Sequence, residues 1–355
     1  MSTPYSFLDD YSEGAHPEIL RALVESNLVQ HAPYGTDTFT AEAIARIQAR
    51  LGPGFAGDIH FVASGTLANL VSIAACRRPH EAVITAQSGH IVGREAGAIE
   101  ATGHKLITVP AVDGKLTPAH VENALAANAH FPHMARPRLL YLSNATEIGT
   151  VYTLAELQAL SALARQRGLI LFVDGARLGA ALASPHSDVT LADIAALADL
   201  FWIGGTKAGA LLGEAIVVCH PALKPDFAIH IKQRGGLLAK GRLLGTQFKV
   251  LFDPAEGEGE IDLYTALARR ANALAARLAA GIVAQGYSLS ARVETNQVFP
   301  ILPDALIARL QERFSFHTWG PAAEPRHSVI RLVTSWATEE GQVAGFLEAL
   351  GCSAD

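Results

Sequence analysis

Leu169-Ile-Leu-Phe-Val-Asp-Gly-Ala-Arg-Leu178 is the stretch whose reading decides the fold. A buried apolar strand ends abruptly in Asp174 and Gly175, and Arg177 follows the acid three residues later. In parallel α/β sheets ligands bind beyond the carboxyl ends of the strands, so Asp174 stands where a cofactor would sit. A carboxylate there can pair with a protonated ring nitrogen and strengthen the ring as an electron sink. Taken alone, the segment fits a plainer reading at least as well, with Asp174 capping the next turn and Arg177 in a surface ion pair.

Around this segment the chain alternates strand and helix. Short apolar runs lie at 59–62, 82–85, 106–109, 139–142, 169–173, 200–203 and 215–219, most of them separated by segments of helical spacing. Leu154, Leu157, Leu160 and Leu163 share one helix face. Thr153 with Glu156 predicts a capping box, and Gly168 predicts the stop. Repeated βα units imply a mainly parallel sheet covered on both faces. After Phe252 the acidic, Gly/Pro-interrupted Asp253-Pro-Ala-Glu-Gly-Glu-Gly-Glu260 reads as a connection. A long Ala/Leu/Arg helix follows, then strands expected at 288–293, 297–302 and 328–334, a helix at 305–314 and a closing helix. The expected division is a large domain over 1–252 and a smaller α+β domain over 253–355.

Composition narrows the function classes. Half of the 355 residues are hydrophobic and 17% are charged, which suits a globular enzyme with a large core. The net charge is −6 and no Lys/Arg block stands out, so nucleic acid and anionic membrane surfaces are poor partners. Cys76, Cys219 and Cys352 are far apart and odd in number, which speaks for a reducing cytoplasm and against a disulfide framework. The polar, acidic first ten residues do not read as a secretory signal, and no apolar run reaches the length of a membrane span.

Three further segments carry chemistry. In Ala198-Asp-Leu-Phe-Trp-Ile-Gly-Gly-Thr-Lys-Ala-Gly209, small residues flank Lys207 and leave room for a planar group. A lysine at a strand end in apolar surroundings can have its pKa lowered and act as an amine nucleophile. The competing reading is a solvated or phosphate-binding loop lysine. His60-Phe-Val-Ala-Ser-Gly-Thr-Leu-Ala-Asn-Leu70 reads as strand, turn and helix, with Ser64, Gly65 and Thr66 at a helix N-terminus suited to a phosphate. By itself that motif is weak, since many helices start this way. Gln87-Ser-Gly-His90 follows a strand, and His90 there can stack on a ring or transfer protons, although a lone histidine is more often structural. His130-Phe-Pro-His133 lies in a Pro-interrupted loop without a third metal ligand nearby, so a metal centre is not expected there.

An anion cup, a histidine, an acid and a lysine thus follow different strands of one sheet. In this order they resemble the aspartate-aminotransferase-like fold (fold type I, PLP-dependent transferase-like) of pyridoxal-5'-phosphate (PLP) enzymes, and within it the threonine aldolase / aromatic amino acid β-eliminating lyase family. The resemblance runs from Asp9-Asp-Tyr-Ser-Glu-Gly14 and Tyr34-Gly-Thr-Asp37 through the segments above to Lys240-Gly-Arg242 and Val329-Ile-Arg-Leu-Val-Thr-Ser335. It implies that Lys207 carries the cofactor as a Schiff base and that Asp174 pairs with the pyridine nitrogen. It places His90 on the ring, the Ser64-Gly-Thr66 turn at the phosphate, and Arg177 beside ring or substrate. Arg331 matches the arginine for the substrate α-carboxylate, a task suited to a planar bidentate donor. Arg242 matches an arginine that reaches the phosphate, across a subunit interface, and the Tyr34 loop matches a segment of a site shared between subunits of a homodimer or homotetramer.

The implied reaction is retro-aldol cleavage of a β-hydroxy-α-amino acid, such as L-threonine, L-allo-threonine or a phenylserine-like substrate, to glycine and an aldehyde. The chain departs from many members in two places. Where they carry Thr-His-Asn-Gly, this chain has Ala145-Thr-Glu-Ile-Gly149, so Glu147 takes the place of a histidine base, a form that resembles the phenylserine-aldolase-like branch. Asp9 stands where many have a serine near the substrate carboxylate, and it is expected to engage an arginine. Elimination of a β-substituent is the alternative chemistry, and a non-catalytic protein on the same fold is a third reading.

Overall fold

The computed structural model describes residues 4–351 except Arg77, Glu258 and Glu260. Its strands are β1 (Tyr5–Ser6), β2 (Asp58–Val62), β3 (Glu81–Ala86), β4 (Lys105–Val109), β5 (Arg136–Ser143), β6 (Ile170–Asp174) and β7 (Leu200–Gly204). β8 (Glu214–Val218), β9 (Gln297–Val298), β10 (Ile301–Pro303), β11 (Phe314–Ser315), β12 (His317–Pro321) and β13 (His327–Val333) follow. All seven apolar runs of the first part become strands of one sheet, in the order β2-β8-β7-β6-β5-β3-β4. Every pair from β7 to β4 is parallel, and β8 alone runs against both of its neighbours. The reversal has a simple cause. Only residues 205–213 join β7 to β8, too few for a helical crossover, so the chain turns straight back.

β7 and β8 are buried at every position, as strands covered on both faces must be. One face packs on Ile47, Leu157, Leu160 and Phe248, the other on Val71, Ile73, Phe227 and Ile231. The helix Leu154–Arg167 starts with the expected capping box, in which Thr153 Oγ1 accepts the Glu156 N–H and Glu156 Oε2 accepts the Thr153 N–H. It ends at Gly168, whose φ of 63° is the left-handed conformation glycine adopts without strain.

The second core gathers Leu274, Leu278, Ile282, Phe314, Ile330 and Phe346. Phe7 joins it, touching Phe314 and Phe346, and β1 pairs in parallel with β11. The N-terminal segment therefore packs on C-terminal elements before it passes to the large sheet. The helix Leu263–Ala284 ties the two cores together, with Leu263, Tyr264 and Leu267 in the first and Leu274 onward in the second.

Three expectations in this region are corrected. Residues 288–293 form no strand; Leu289 makes only an isolated bridge to Pro300. The segment 297–302 divides into β9 and β10, both of which pair with β13. The helix expected at 305–314 is Asp304–Leu310, and Phe314 is a strand residue. β12 had no legible pattern, because His317-Thr-Trp-Gly-Pro321 is largely exposed and holds both glycine and proline. Its pairing with β13, rather than intrinsic propensity, makes it a strand. Cys219 is a free thiol, and Cys352 lies outside the described residues. Among the described residues no helix is long and apolar enough to cross a membrane.

Candidate active site

The side chains singled out above converge where parallel strands end. Asp174 closes β6, Lys207 follows β7, Glu147 follows β5, and His90 follows β3. Asp174 is buried and held from three directions. Its Oδ2 accepts Tyr141 OH at 2.5 Å and Asn69 Nδ2 at 2.9 Å, and its Oδ1 accepts the Ala176 N–H at 2.9 Å. Burial, and then the Asp174 charge, push the Tyr141 phenol well above its ordinary pKa, so it remains a donor.

The network extends to His90. Asn69 also donates to Glu95 Oε1 at 2.8 Å and accepts from Trp202 Nε1 at 3.1 Å. Glu95 Oε1 lies 2.8 Å from His90 Nδ1, which assigns the proton to Nδ1 and fixes the ring's orientation. A hydrogen-bonded line thus runs from His90 through Glu95 and Asn69 to Asp174. Trp202 also explains Gly65, since a Cβ there would come within 2.9 Å of the indole. Gly65 opens the helix Gly65–Cys76, with Ser64 Oγ accepting the Leu67 N–H. The first N–H groups of a helix lack partners within it, which suits an anion.

Lys207 Nζ makes no hydrogen bond or ion pair among the described residues and lies 5.7 Å from the Tyr11 ring centre. Burial lowers its pKa first, and Arg177 adds to that; Asp10, Asp174 and Glu214 pull the other way. The amine therefore loses its proton more readily than a surface lysine does. Glu147 lies beside His90, its Oε1 accepting Ser143 Oγ at 2.6 Å and the His90 N–H at 2.9 Å. Burial raises its pKa, the direction a carboxylate base requires.

Arg177 is turned away from solvent and forked onto Asp10, through Nε at 2.8 Å and Nη2 at 3.1 Å. Asn296 Nδ2 donates to the same acid at 2.9 Å. Burial pushes the Asp10 carboxyl up, but Arg177 and Lys207 outweigh it and hold the carboxyl below its usual range. Arg331 projects from β13, with Nη2 donating to Leu8 O at 3.0 Å and its guanidinium 5.0 Å from the centre of the Trp319 ring. Its Nε is buried and has no hydrogen-bond partner among the described residues, a donor left over for an anion.

Three predicted residues are placed elsewhere. Among the described residues Asp9 engages no arginine; it caps its own turn by accepting the Tyr11 N–H and the Ser12 hydroxyl, and the neighbouring Asp10 takes the arginine instead. Arg242 donates to the carbonyls of Ser26, Asn27 and Val29 at the end of the helix Pro17–Ser26. Tyr34 is exposed, under the Lys232 ammonium at 4.5 Å. The sequence reading assigned no role to Asp10, Asn69, Glu95, Tyr141, Glu214 or Asn296. Asp10 and Asn69 stand inside quoted motifs, but nothing in their local pattern shows that they face the site.

A mostly parallel seven-stranded sheet with one reversed strand, a lysine and an acid at adjacent strand ends, and an arginine supplied by a smaller antiparallel sheet define the aspartate-aminotransferase-like, fold type I class of enzymes. The aspartate aminotransferase of Thermus thermophilus superposes with a TM-score of 0.71 over 98% of this chain and 91% of that one; at 17% identity this shows the fold alone. The beta-eliminating lyase family matches residues 8–305, and the chain belongs to it. A low specificity L-threonine aldolase of Pseudomonas aeruginosa is 35% identical, covering 88% of this chain and 89% of its own length. A second, from a Pseudomonas species, is 31% identical over 95% and 94% of the two chains. The threonine aldolase structure from Leishmania major is 48% identical, with a TM-score of 0.93 over 98% of each chain.

Proposed function

We propose that this chain is a PLP-dependent aldolase that cleaves a β-hydroxy-α-amino acid to glycine and an aldehyde. The observation that carries the reading is a triple: a lysine amine without a hydrogen bond among the described residues, an acid locked in place by Tyr141 and Asn69, and an arginine from the smaller sheet with a spare buried N–H. The names of its relatives, low specificity L-threonine aldolase and threonine aldolase, support the substrate class.

The residues fit the cofactor. Lys207 would hold it covalently, with Asp174 at the ring nitrogen, His90 against the ring face, and Ser64, Gly65 and Thr66 at the phosphate. Bound PLP supplies an electron-withdrawing ring that accepts the electron pair released at Cα. The chain does the rest. Arg331 binds the α-carboxylate through Nε and an adjacent Nη, and Arg177, neutralised by Asp10, keeps the pocket floor rigid. Glu147 takes the proton from the β-hydroxyl as the Cα–Cβ bond breaks and the aldehyde leaves. Return of a proton to Cα completes glycine. Glu95, hydrogen-bonded to His90 Nδ1, fixes the orientation of the imidazole ring.

The same reading covers assembly. The helix Pro17–Ser26 exposes Leu20 and Val24, and the exposed Leu28 and Val29 follow, an apolar strip on the surface; Tyr34 is exposed as well. That strip suits a second copy of the chain, in a homodimer or homotetramer in which Tyr34 and Arg242 would serve a neighbouring site. The free thiol of Cys219 and a net charge of −6 support a cytoplasmic enzyme. The deciding assay offers L-threonine, L-allo-threonine, L-phenylserine and an amino acid with a β leaving group. Glycine plus aldehyde supports the aldolase; an oxo acid plus ammonia from the last substrate alone replaces it with the eliminating lyase.

A further inference from the structure

Glu214 is a buried acid at the start of β8 for which the reaction above has no use. It faces the turn that carries Lys207. Its Oε2 accepts the Gly205 N–H at 2.9 Å and its Oε1 accepts the Thr206 hydroxyl at 2.7 Å. Thr206 Oγ1 in turn accepts the Gly213 N–H at 3.1 Å, and both the Gly205 and Thr206 N–H groups reach Gly213 O. The register pairs Gly204 with Glu214, so the short reversal between β7 and β8 sets this carboxyl directly behind the turn. A buried ionisable acid is an expensive way to hold a turn, because its charged form carries a desolvation cost that a neutral side chain does not.

The geometry points to Glu214 as a positioning residue for Lys207: it clamps the Gly205-Thr206 turn from which the lysine projects and stands behind it as a counter-charge to the lysine nitrogen. The charged groups acting on that nitrogen are Arg177, Asp10 and Asp174 on the substrate side and Glu214 behind the turn. Lys207 and the Tyr264 phenol are titratable groups that feel the Glu214 charge. Burial first of all pushes the Glu214 carboxyl up to about 7, with the two hydrogen bonds and Lys207 opposing. Its charge therefore appears and disappears across neutral pH, and with it part of the stabilisation of a protonated lysine nitrogen.

The inference rests on the proposed role of Lys207. The test is Glu214→Gln, which keeps the shape and an acceptor for Gly205 but removes the charge. In the PLP-loaded enzyme, the pH midpoint of the visible absorbance band reads the protonation of the lysine nitrogen. The expected change is a downward shift of about half a pH unit or more, roughly threefold in proton binding. Should Glu214→Gln not fold, Thr206→Val, which deprives the carboxylate of one donor, is expected to shift the midpoint the same way by less, and Thr206→Ser to restore it. An unchanged midpoint in a folded Glu214→Gln enzyme overturns the inference and leaves the cofactor reading intact. Absence of any band in the wild type refutes the cofactor reading instead. The pH dependence of Lys207 acetylation, followed by peptide mass, then decides on Glu214 independently, with the same shift expected and an unchanged midpoint overturning it.

Discussion

Replacing Asp10 by asparagine changes one heavy atom and removes the counter-charge of a buried ion pair. The side chains of Asp10 and Arg177 are 1% and 13% exposed, so water cannot take over the lost interaction. In the native protein Asp10 accepts both prongs of the Arg177 fork and the Asn296 amide. Asparagine offers a single acceptor and presents an N–H to one of those donors. Breaking one side of a buried pair costs about 3–5 kcal/mol, because the remaining charge is stranded. With an unfolding entropy near 2.1 cal/mol/K per residue, a chain of this length has about 0.75 kcal/mol/K, so the loss corresponds to a fall of roughly 4–7 °C in Tm. Asp9→Asn is the control, since that acid only closes its own exposed turn, and its Tm should move by less than about 1 °C. The pH dependence carries the same signature. Because the Asp10 carboxyl is held below its ordinary value, its contribution is complete above that value and is lost as pH falls through the lowered one; the difference in Tm between wild type and Asp10→Asn should shrink there. Scanning fluorimetry or calorimetry of both variants at neutral and acid pH reads all of this. A Tm for Asp10→Asn within 1 °C of wild type at neutral pH refutes the account of the pocket floor.

Lys207→Ala should abolish turnover and the visible absorbance band of the PLP-loaded protein while leaving Tm of the cofactor-free chain nearly unchanged; a retained band removes the lysine from its role. Arg331→Lys gives up the planar fork and should raise KM about 10–100-fold with a smaller change in kcat, measured by glycine release. Glu147 must be ionised to accept a proton, so the wild-type rate should fall as pH drops through its raised pKa. Glu147→Gln should be slow at every pH and lack that acid limb; an unchanged profile assigns the base elsewhere. Gly65→Ala brings a Cβ to 2.9 Å from Trp202 and should weaken cofactor affinity at least tenfold, as read by equilibrium dialysis of PLP.

Much of the architecture is written locally. Each apolar run of the large sheet is a strand in the structure, because a strand buried on both faces needs apolar residues throughout and so advertises itself. The smaller sheet was harder to read. β12 is exposed and holds Gly320 and Pro321, and residues 288–293 alternate as a strand would yet find no partner strand. In both cases pairing, which lies outside the segment, decides.

The candidate site divides in the same way. Lys207, Asp174, His90 and the Ser64-Gly-Thr66 turn are legible because each follows a strand of one parallel sheet, and topology puts such positions along a single edge. Arg331 was reached by resemblance and arrives from a different sheet. The sequence by itself determined the class of fold, the strand ends and the residue types that chemistry needs there. Tertiary structure alone decided which groups support them: that Asp10 and not Asp9 takes Arg177, that Asn69, Tyr141 and Glu95 link Asp174 to His90, and that Glu214 stands behind Lys207. These partners lie as far as 286 residues apart along the chain, as Asn296 does from Asp10. A hydrogen bond depends on where two side chains end in space, and no local pattern of polarity records that position.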